Sequence, residues 1–240
     1  MDEEYERAIN ILTGALKLEQ TTPRTGRNPQ DQVDATSCAT SKAPEQKDTV
    51  PIGISNRHIH LSQADLDTLF GTGYQLTKLK DLSQPGQFAS KETVMLAGPK
   101  GSITKVRILG PVRSHTQIEI LASDQFKLGA KAPVRLSGHL DGTPGITVVG
   151  PKTSIQTPDG LIIAQRHIHM LPQQAIEFGV HDGQTVSLEI EGLRGGILNN
   201  VIIRAKAHSG LECHIDTEEA NALGVTSGMP AKIKIIGGNE

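Results

Sequence analysis

Apolar residues fall along this chain in three regimes. In residues 1–18, Tyr5, Ala8, Ile9, Leu12, Ala15 and Leu16 recur at three-and-four spacing behind the acidic Asp2, Glu3 and Glu4. That pattern predicts a short amphipathic helix with a favourable N-terminus. From Glu19 to Thr49 the chain has no Leu, Ile, Phe, Tyr or Met. So little apolar surface cannot offset the entropy of ordering, and residues 19–49 are expected to be a disordered linker. A helix tethered in this way needs a partner for its apolar stripe outside its own domain. From Val50 onward the hydrophobic period shortens to about two. Thr93–Leu96, Ile103–Leu109, Thr116–Leu121, Ile146–Val149, Thr185–Ile190, Leu198–Arg204 and Lys232–Ile236 read as short strands, and Val50–Ser55 as a strand leading into the first histidine pair.

Two short helices interrupt the strands. Ser62–Phe70 has Ser62 as cap and Gly71 as stop, and Pro172–Phe178 ends at Gly179. Turns at Gly98-Pro99-Lys100-Gly101, Asp141-Gly142, Asp182-Gly183 and Arg194-Gly195-Gly196 punctuate the rest. The expected fold is mainly β, with two tandem antiparallel β-barrel domains from an internal duplication, residues 50–150 and 151–240, capped by short helices. Barrel closure would remove exposed edges.

The duplication carries chemistry. Arg57-His58-Ile59-His60-Leu61 returns as Arg166-His167-Ile168-His169-Met170. In an extended strand the two imidazoles of His-x-His share one face, which makes a two-ligand metal clip. Zinc in catalytic sites usually takes three protein ligands and leaves a fourth position open. A shift of 95 residues lays Val106 on Val201 and Leu128-Gly129 on Leu223-Gly224, and it places Glu119 on His214. Two zinc sites per chain are therefore expected: His58, His60 and Glu119 in the first half, His167, His169 and His214 in the second. Cys213 should point away from His214 into a core, and His115, His139, His181 and His208, without counterparts across the repeat, read as structural or exposed. Arg113 follows the Gly110-Pro111 turn, from which it can reach the first set, and its planar fork suits phosphate. Lys100 and Arg107 either bind phosphates or face solvent.

Composition narrows the class. A net charge of -2 and 2% aromatic residues without Trp supply neither a basic field nor stacking platforms, so no nucleic acid or membrane-surface partner is expected. No apolar run approaches the roughly 20 residues of a membrane span, and no secretory signal is present, so the chain is expected to be intracellular. The two cysteines, Cys38 and Cys213, make a disulfide framework improbable.

Val50 to Ser62, Pro85 to Val94, Gly138 to Gly145, Ala164 to Met170 and His214 to Thr217 closely resemble the PduL-type phosphate acyltransferase family, in a match over residues 50–235. The resemblance implies two zinc-bearing β-barrel domains and reversible transfer of a short acyl group, propanoyl or acetyl, between coenzyme A and phosphate. Carried onto this chain, it assigns the two zinc sets as above, gives phosphate to Arg113, and places coenzyme A against Ile54, Ser55, Asn56, Lys100, Arg107 and Asn221. Ser114-His115 before Thr116, and Gln165 before Arg166, depart from the family pattern without removing a ligand. The resemblance further implies a homodimer or larger homo-oligomer. It makes residues 1–18 an encapsulation peptide that brings the enzyme to shell or lumen proteins of a bacterial microcompartment of the propanediol-utilisation kind.

With no Ser-His-Asp or reactive Cys arrangement evident, the expected mechanism is direct attack of phosphate on a zinc-associated thioester. A zinc-dependent thioester hydrolase and a non-catalytic, zinc-stabilised scaffold are the alternatives.

Overall fold

The computed structural model describes residues 48–235. The helix expected over residues 1–18 lies outside the described residues, as does the linker up to residue 47. Thr49, assigned to the linker from composition, instead opens the first strand, and the carbonyl of Asp48 accepts a backbone hydrogen bond from Ile233.

In chain order the strands are β1 (Thr49–Ser55), β2 (His58–His60), β3 (Lys78–Asp81), β4 (Phe88–Gly98), β5 (Gly101–Gly110), β6 (Gln117–Ile120), β7 (Val134–Arg135), β8 (Thr147–Val149), β9 (Ser154–Gln156), β10 (Leu161–Ala164), β11 (His167–Met170), β12 (Thr185–Ile190), β13 (Gly196–Ala205), β14 (Glu212–Asp216) and β15 (Pro230–Lys234). Four short helices join them: α1 (Gln63–Phe70), α2 (Asp124–Leu128), α3 (Pro172–Phe178) and α4 (Thr217–Leu223). Ser62 caps α1 by accepting from the Asp65 amide, and Gly71 closes it, as its sequence predicts. Helices α2 and α4 escape the periodicity because each spans two turns or fewer.

The fold is mainly β. Strands β1-β14-β11-β13-β12-β15 close into a barrel, and β7-β10-β6-β2-β5-β4-β8-β9, with β3 on β4, form a second, curled sheet. Pairing is mixed rather than antiparallel throughout: β1 with β14, β10 with β6 and β7, β11 with β13, and β2 with β5 run parallel.

The parallel pairs have a common origin. The strand that precedes each His-x-His segment leaves its own half and joins the third-ligand strand of the other: Gly53 on β1 lies opposite His214 on β14, and Ile162 on β10 lies opposite Glu119 on β6. A cut at residue 150 therefore severs strand pairing in both directions.

Alternation then sorts the side chains. In the barrel, Ile168, Met170, Val201, Ile203, Cys213 and Ile215 pack into one core. In the second sheet, Ile59, Leu61, Val106, Ile108, Ile118 and Ile120 pack into another. Burial of these aliphatic chains, each worth roughly 1.5–3 kcal/mol relative to exposure, fixes the register, because a one-residue slip would turn every one of them outward. The residues between them must take the opposite faces: His58, His60, Arg107 and Glu119 on one sheet, His167, His169, Arg204, Glu212 and His214 on the other.

Candidate metal centres and their shared cleft

Each His-x-His strand lies antiparallel to its third-ligand strand with the same pairing: His58 opposite Glu119, and His167 opposite His214. Within each of the triads His58–His60–Glu119 and His167–His169–His214, one ligand atom per residue falls within 4.8 Å of the others. The expected ligand sets are thus brought together as the sequence grouped them. His115, His139, His181 and His208 are exposed, and Cys213 is fully buried in the barrel core.

Repeated supports orient the imidazoles. Nδ1 of His58 donates to the Asn56 carbonyl at 2.8 Å, and Nδ1 of His167 donates to the Gln165 carbonyl at 2.8 Å. Each ring therefore keeps the lone pair of its neutral form on Nε2, the atom turned toward the rest of its triad. Nε2 of His58 lies 3.3 Å from Glu119 Oε2, and Nε2 of His167 lies 3.1 Å from Nε2 of His169. The arginine ahead of each pair is tied to the helix after the third ligand: Arg57 Nε to Asp124 Oδ2 at 2.7 Å, and Arg166 to Glu219.

A further pair went unnoticed in the sequence. Gln117 and Glu212 each stand two residues before the third ligand of their half and therefore on its face. Gln117 Nε2 donates to Glu119 Oε1 at 2.6 Å, and Glu212 Oε2 lies 2.6 Å from His214 Nε2. The shift of 95 residues that aligned Glu119 with His214 also aligns these two, so the signal was present. Gln117 is held in turn by Ser137, and Glu212 by Ser83. A Cβ at position 53 would come within 2.5 Å of the Glu212 carboxyl carbon, so a larger residue there would push the carboxylate from this position.

The electrostatics of the two triads differ. At the first, burial alone would lower His58, but the charge and hydrogen bond of Glu119 raise it above its ordinary value. Burial pushes Glu119 up, and the adjoining His58 outweighs it and holds the carboxyl well below the usual range. In the metal-free first triad a proton is thus favoured on His58 beside the Glu119 carboxylate, while burial first, then the charges of His58 and Arg113, hold His60 well below its ordinary value. At the second, burial followed by the neighbouring imidazoles pulls His167 down to about 4 and His169 to about 3, so both rings are neutral near pH 7.

These residues fit zinc. Both sets are nitrogen and oxygen donors of the types zinc takes, three per centre. Nδ1 of His60, moreover, is buried and makes no hydrogen bond of normal geometry among the described residues, an arrangement that costs free energy unless something binds that atom.

Both triads open on one cavity of about 580 Å³ between the outer faces of the two sheets. Arg113 also lines it: its amide donates to the Leu61 carbonyl and its segment bridges to Ser62, so the backbone just after the first histidine pair sets its position. Its guanidinium Nη1 donates to Ser137 Oγ at 3.0 Å. Ile54, Ser55, Asn56 and Arg107 line the same cavity, with Arg107 also donating to the carbonyls of Ser90 and Lys91. Lys100 lies instead on a different cleft, beside Phe126 and Gly129, and Asn221 is exposed on α4 and does not line the cavity.

A cleft with two three-ligand centres and an unpaired guanidinium is the equipment of a metal-dependent, anion-handling protein. The family model for phosphate propanoyltransferase matches residues 51–226. A phosphate propanoyltransferase of Rhodobacter capsulatus is 52% identical over 185 residues, covering 77% of this chain and 86% of its own. Those of Thermotoga maritima and Salmonella typhimurium are 53% and 52% identical, covering 74% and 73% of this chain and 85% and 83% of theirs. The chain belongs to the phosphate propanoyltransferase family.

Proposed function

We propose that this protein is a phosphate acyltransferase that interconverts acyl-CoA and phosphate with acyl phosphate and coenzyme A, for a short acyl group such as propanoyl or acetyl. The observation that carries this reading is the single cavity on which both triads and Arg113 open. His58, His60 and Glu119 would hold one zinc, and His167, His169 and His214 another. Bound there, zinc supplies Lewis-acid stabilisation of negative charge on oxygen or sulfur.

The remaining work falls to the chain. Arg113 binds phosphate through its fork of donors and holds one oxygen toward the thioester carbonyl. Attack by that oxygen forms the new C–O bond, the C–S bond breaks, and coenzyme A leaves with the electron pair. Ile54, Ser55, Asn56 and Arg107 form the wall against which coenzyme A lies, with Lys100 and Asn221 meeting parts of it outside the cavity. Cys213 is no acyl carrier: burial first, then the nearby Glu219 and Glu212, push its thiol far above its ordinary pKa, and it faces the barrel core. Two substrates thus react directly in a ternary complex.

The test follows thiol release from propanoyl-CoA with and without phosphate. Phosphate-dependent release with intersecting initial-rate plots is expected. Release indifferent to phosphate would make the protein a thioester hydrolase, and none at all would leave a zinc-stabilised scaffold.

Residues 1–18 are proposed as an encapsulation peptide for a bacterial microcompartment, and the enzyme as a homodimer or larger homo-oligomer. Because strand β1 starts at Thr49, the informative truncation removes residues 1–46. It should leave turnover close to that of the full chain, since every residue assigned to the site lies at or beyond Ile54, while abolishing co-sedimentation with shells.

A further inference from the structure

Besides Arg107, whose guanidinium is taken up by the Ser90 and Lys91 carbonyls, two guanidiniums that no carboxylate engages reach the cavity, Arg113 and Arg204. Arg57 and Arg166, which also line it, are bound to Asp124 and Glu219, and Glu119, near Arg113, is committed to His58. Arg204 stands on β13 directly opposite His169 on β11. Its neighbour Ile203 is turned into the barrel core, so the Arg204 side chain projects on the same face as the imidazoles. Among the described residues it makes no ion pair and no side-chain hydrogen bond. A half-buried cation with no partner is unfavourable unless an anion arrives.

The two arginines come from different halves of the chain, Arg113 from the connection between β5 and β6 and Arg204 from β13, and feel one another: the Arg204 charge adds to burial in lowering Arg113. The repeat does not supply this arrangement. The residue aligned with Arg204 in the first half is Leu109, which lines the same cavity. The barrel thus adds a cation where the curled sheet has an aliphatic chain, beside the triad that contains no carboxylate ligand.

We propose that Arg204 is a positioning residue for phosphate, closing with Arg113 on the phosphoryl group as a clamp with one guanidinium from each half of the chain. Resting on the phosphate acyltransferase reading, this assigns the group to inorganic phosphate rather than to the phosphates of coenzyme A. Arg204 sits beside a proposed zinc ligand, where the reacting groups meet, whereas the phosphates of coenzyme A lie a full pantetheine arm from the thioester. Two planar forks lining one cavity match a tetrahedral anion with several equivalent oxygens, and they hold it in one orientation.

The experiment compares wild type, Arg204→Met and Arg204→Lys, each carrying two zinc ions. Arg204→Met should raise the KM for phosphate by about tenfold to a hundredfold, as loss of a charge-assisted contact does. The KM for acyl-CoA and the zinc content should stay at wild-type values. Arg204→Lys, which keeps the charge and loses the fork, should fall between. Thermal protection of the zinc-loaded protein by inorganic phosphate should weaken in the same order. A phosphate KM and phosphate protection unchanged in Arg204→Met would overturn the clamp, as would a rise in the acyl-CoA KM alone. Failure of the parent reading shows separately, in wild-type thiol release that ignores phosphate, and the clamp falls with it.

Discussion

The two ligand-bearing sheets are built to one plan and differ in where they keep their negative charge. In the open sheet a neutral amide, Gln117, supports a carboxylate, Glu119; in the barrel a carboxylate, Glu212, supports an imidazole, His214. Each centre therefore has one carboxylate on its third strand, in the ligand position on one side and two residues before it on the other. A carboxylate in the ligand position would lower the charge at a bound metal directly, and it favours a proton on His58 in the metal-free protein. A carboxylate one step back would leave a bound metal three imidazoles and act through the hydrogen bond. Duplication gave two clips, and exchange of charge between two aligned positions made them different tools.

Removing a ligand tests the comparison most severely. His58→Ala and His167→Ala should each abolish turnover, by at least about a thousandfold, because a metal's contribution to charge stabilisation amounts to several kcal/mol. Chelation should do the same, with zinc restoring activity. Metal analysis should show one zinc lost per variant; if one of the two variants kept full activity, its centre would be structural only.

Arg113→Ala comes next. A lower turnover and a raised phosphate KM, together about a hundredfold to a thousandfold in kcat/KM, are expected from the loss of one preorganised donor to developing charge. Zinc content should stay at two, which separates this residue from the ligands.

A smaller effect separates the supports. Gln117→Ala and Glu212→Ala should weaken zinc binding at their own centres by about tenfold to a hundredfold, the usual effect of losing a group that orients a ligand. Competition with a chromophoric chelator would measure both. Equal weakening of both centres by either variant would mean that the supports serve the shared cleft rather than their own metal.

The mildest test uses pH on the metal-free protein. His167 and His169 have pKa values depressed to about 4 and about 3 from 6.5, so the unfolded chain takes up their protons first, and stability falls as pH drops below 6.5. His58 has the opposite sign: its raised pKa gives stability that is fully present below 6.5 and is lost as pH rises through the folded value. The depressed Glu119 contributes stability that is lost only as pH falls below the ordinary 4.5. His60 on β2 is also held well below its ordinary value, by burial first and then by His58, so the raised His58 and depressed His60 oppose each other there, whereas both histidines of β11 are depressed. Between about pH 7.5 and 5.5, amide protection, corrected for the intrinsic pH dependence of exchange, should therefore fall further in β11 and β14 than in β2 and β6. An equal fall in both sheets would erase the electrostatic distinction between them.

The sequence by itself determined which residues share a face. Alternation in Arg57-His58-Ile59-His60 and in Glu212-Cys213-His214 puts ligands on one side and Ile59 and Cys213 in a core, because a strand's period is a local property of the backbone. Self-alignment reached the third ligands for a similar reason, since a duplicated unit keeps its internal spacing. It would have reached Gln117 and Glu212 as well had non-ligand positions been compared.

Only the tertiary structure decided which edges the strands join. Val50–Ser55 reads as a strand from its own residues, yet nothing local says that it pairs with β14 across the whole chain, because many alternating strands satisfy the same edge. That exchange, with its mirror in β10 and β6, ties the two halves together and leaves their polar faces on a single cavity. It brings Arg204 to the same space as Arg113 and sends Lys100 to another cleft, by pairings between residues far apart in the chain, where the period of a single strand has no influence.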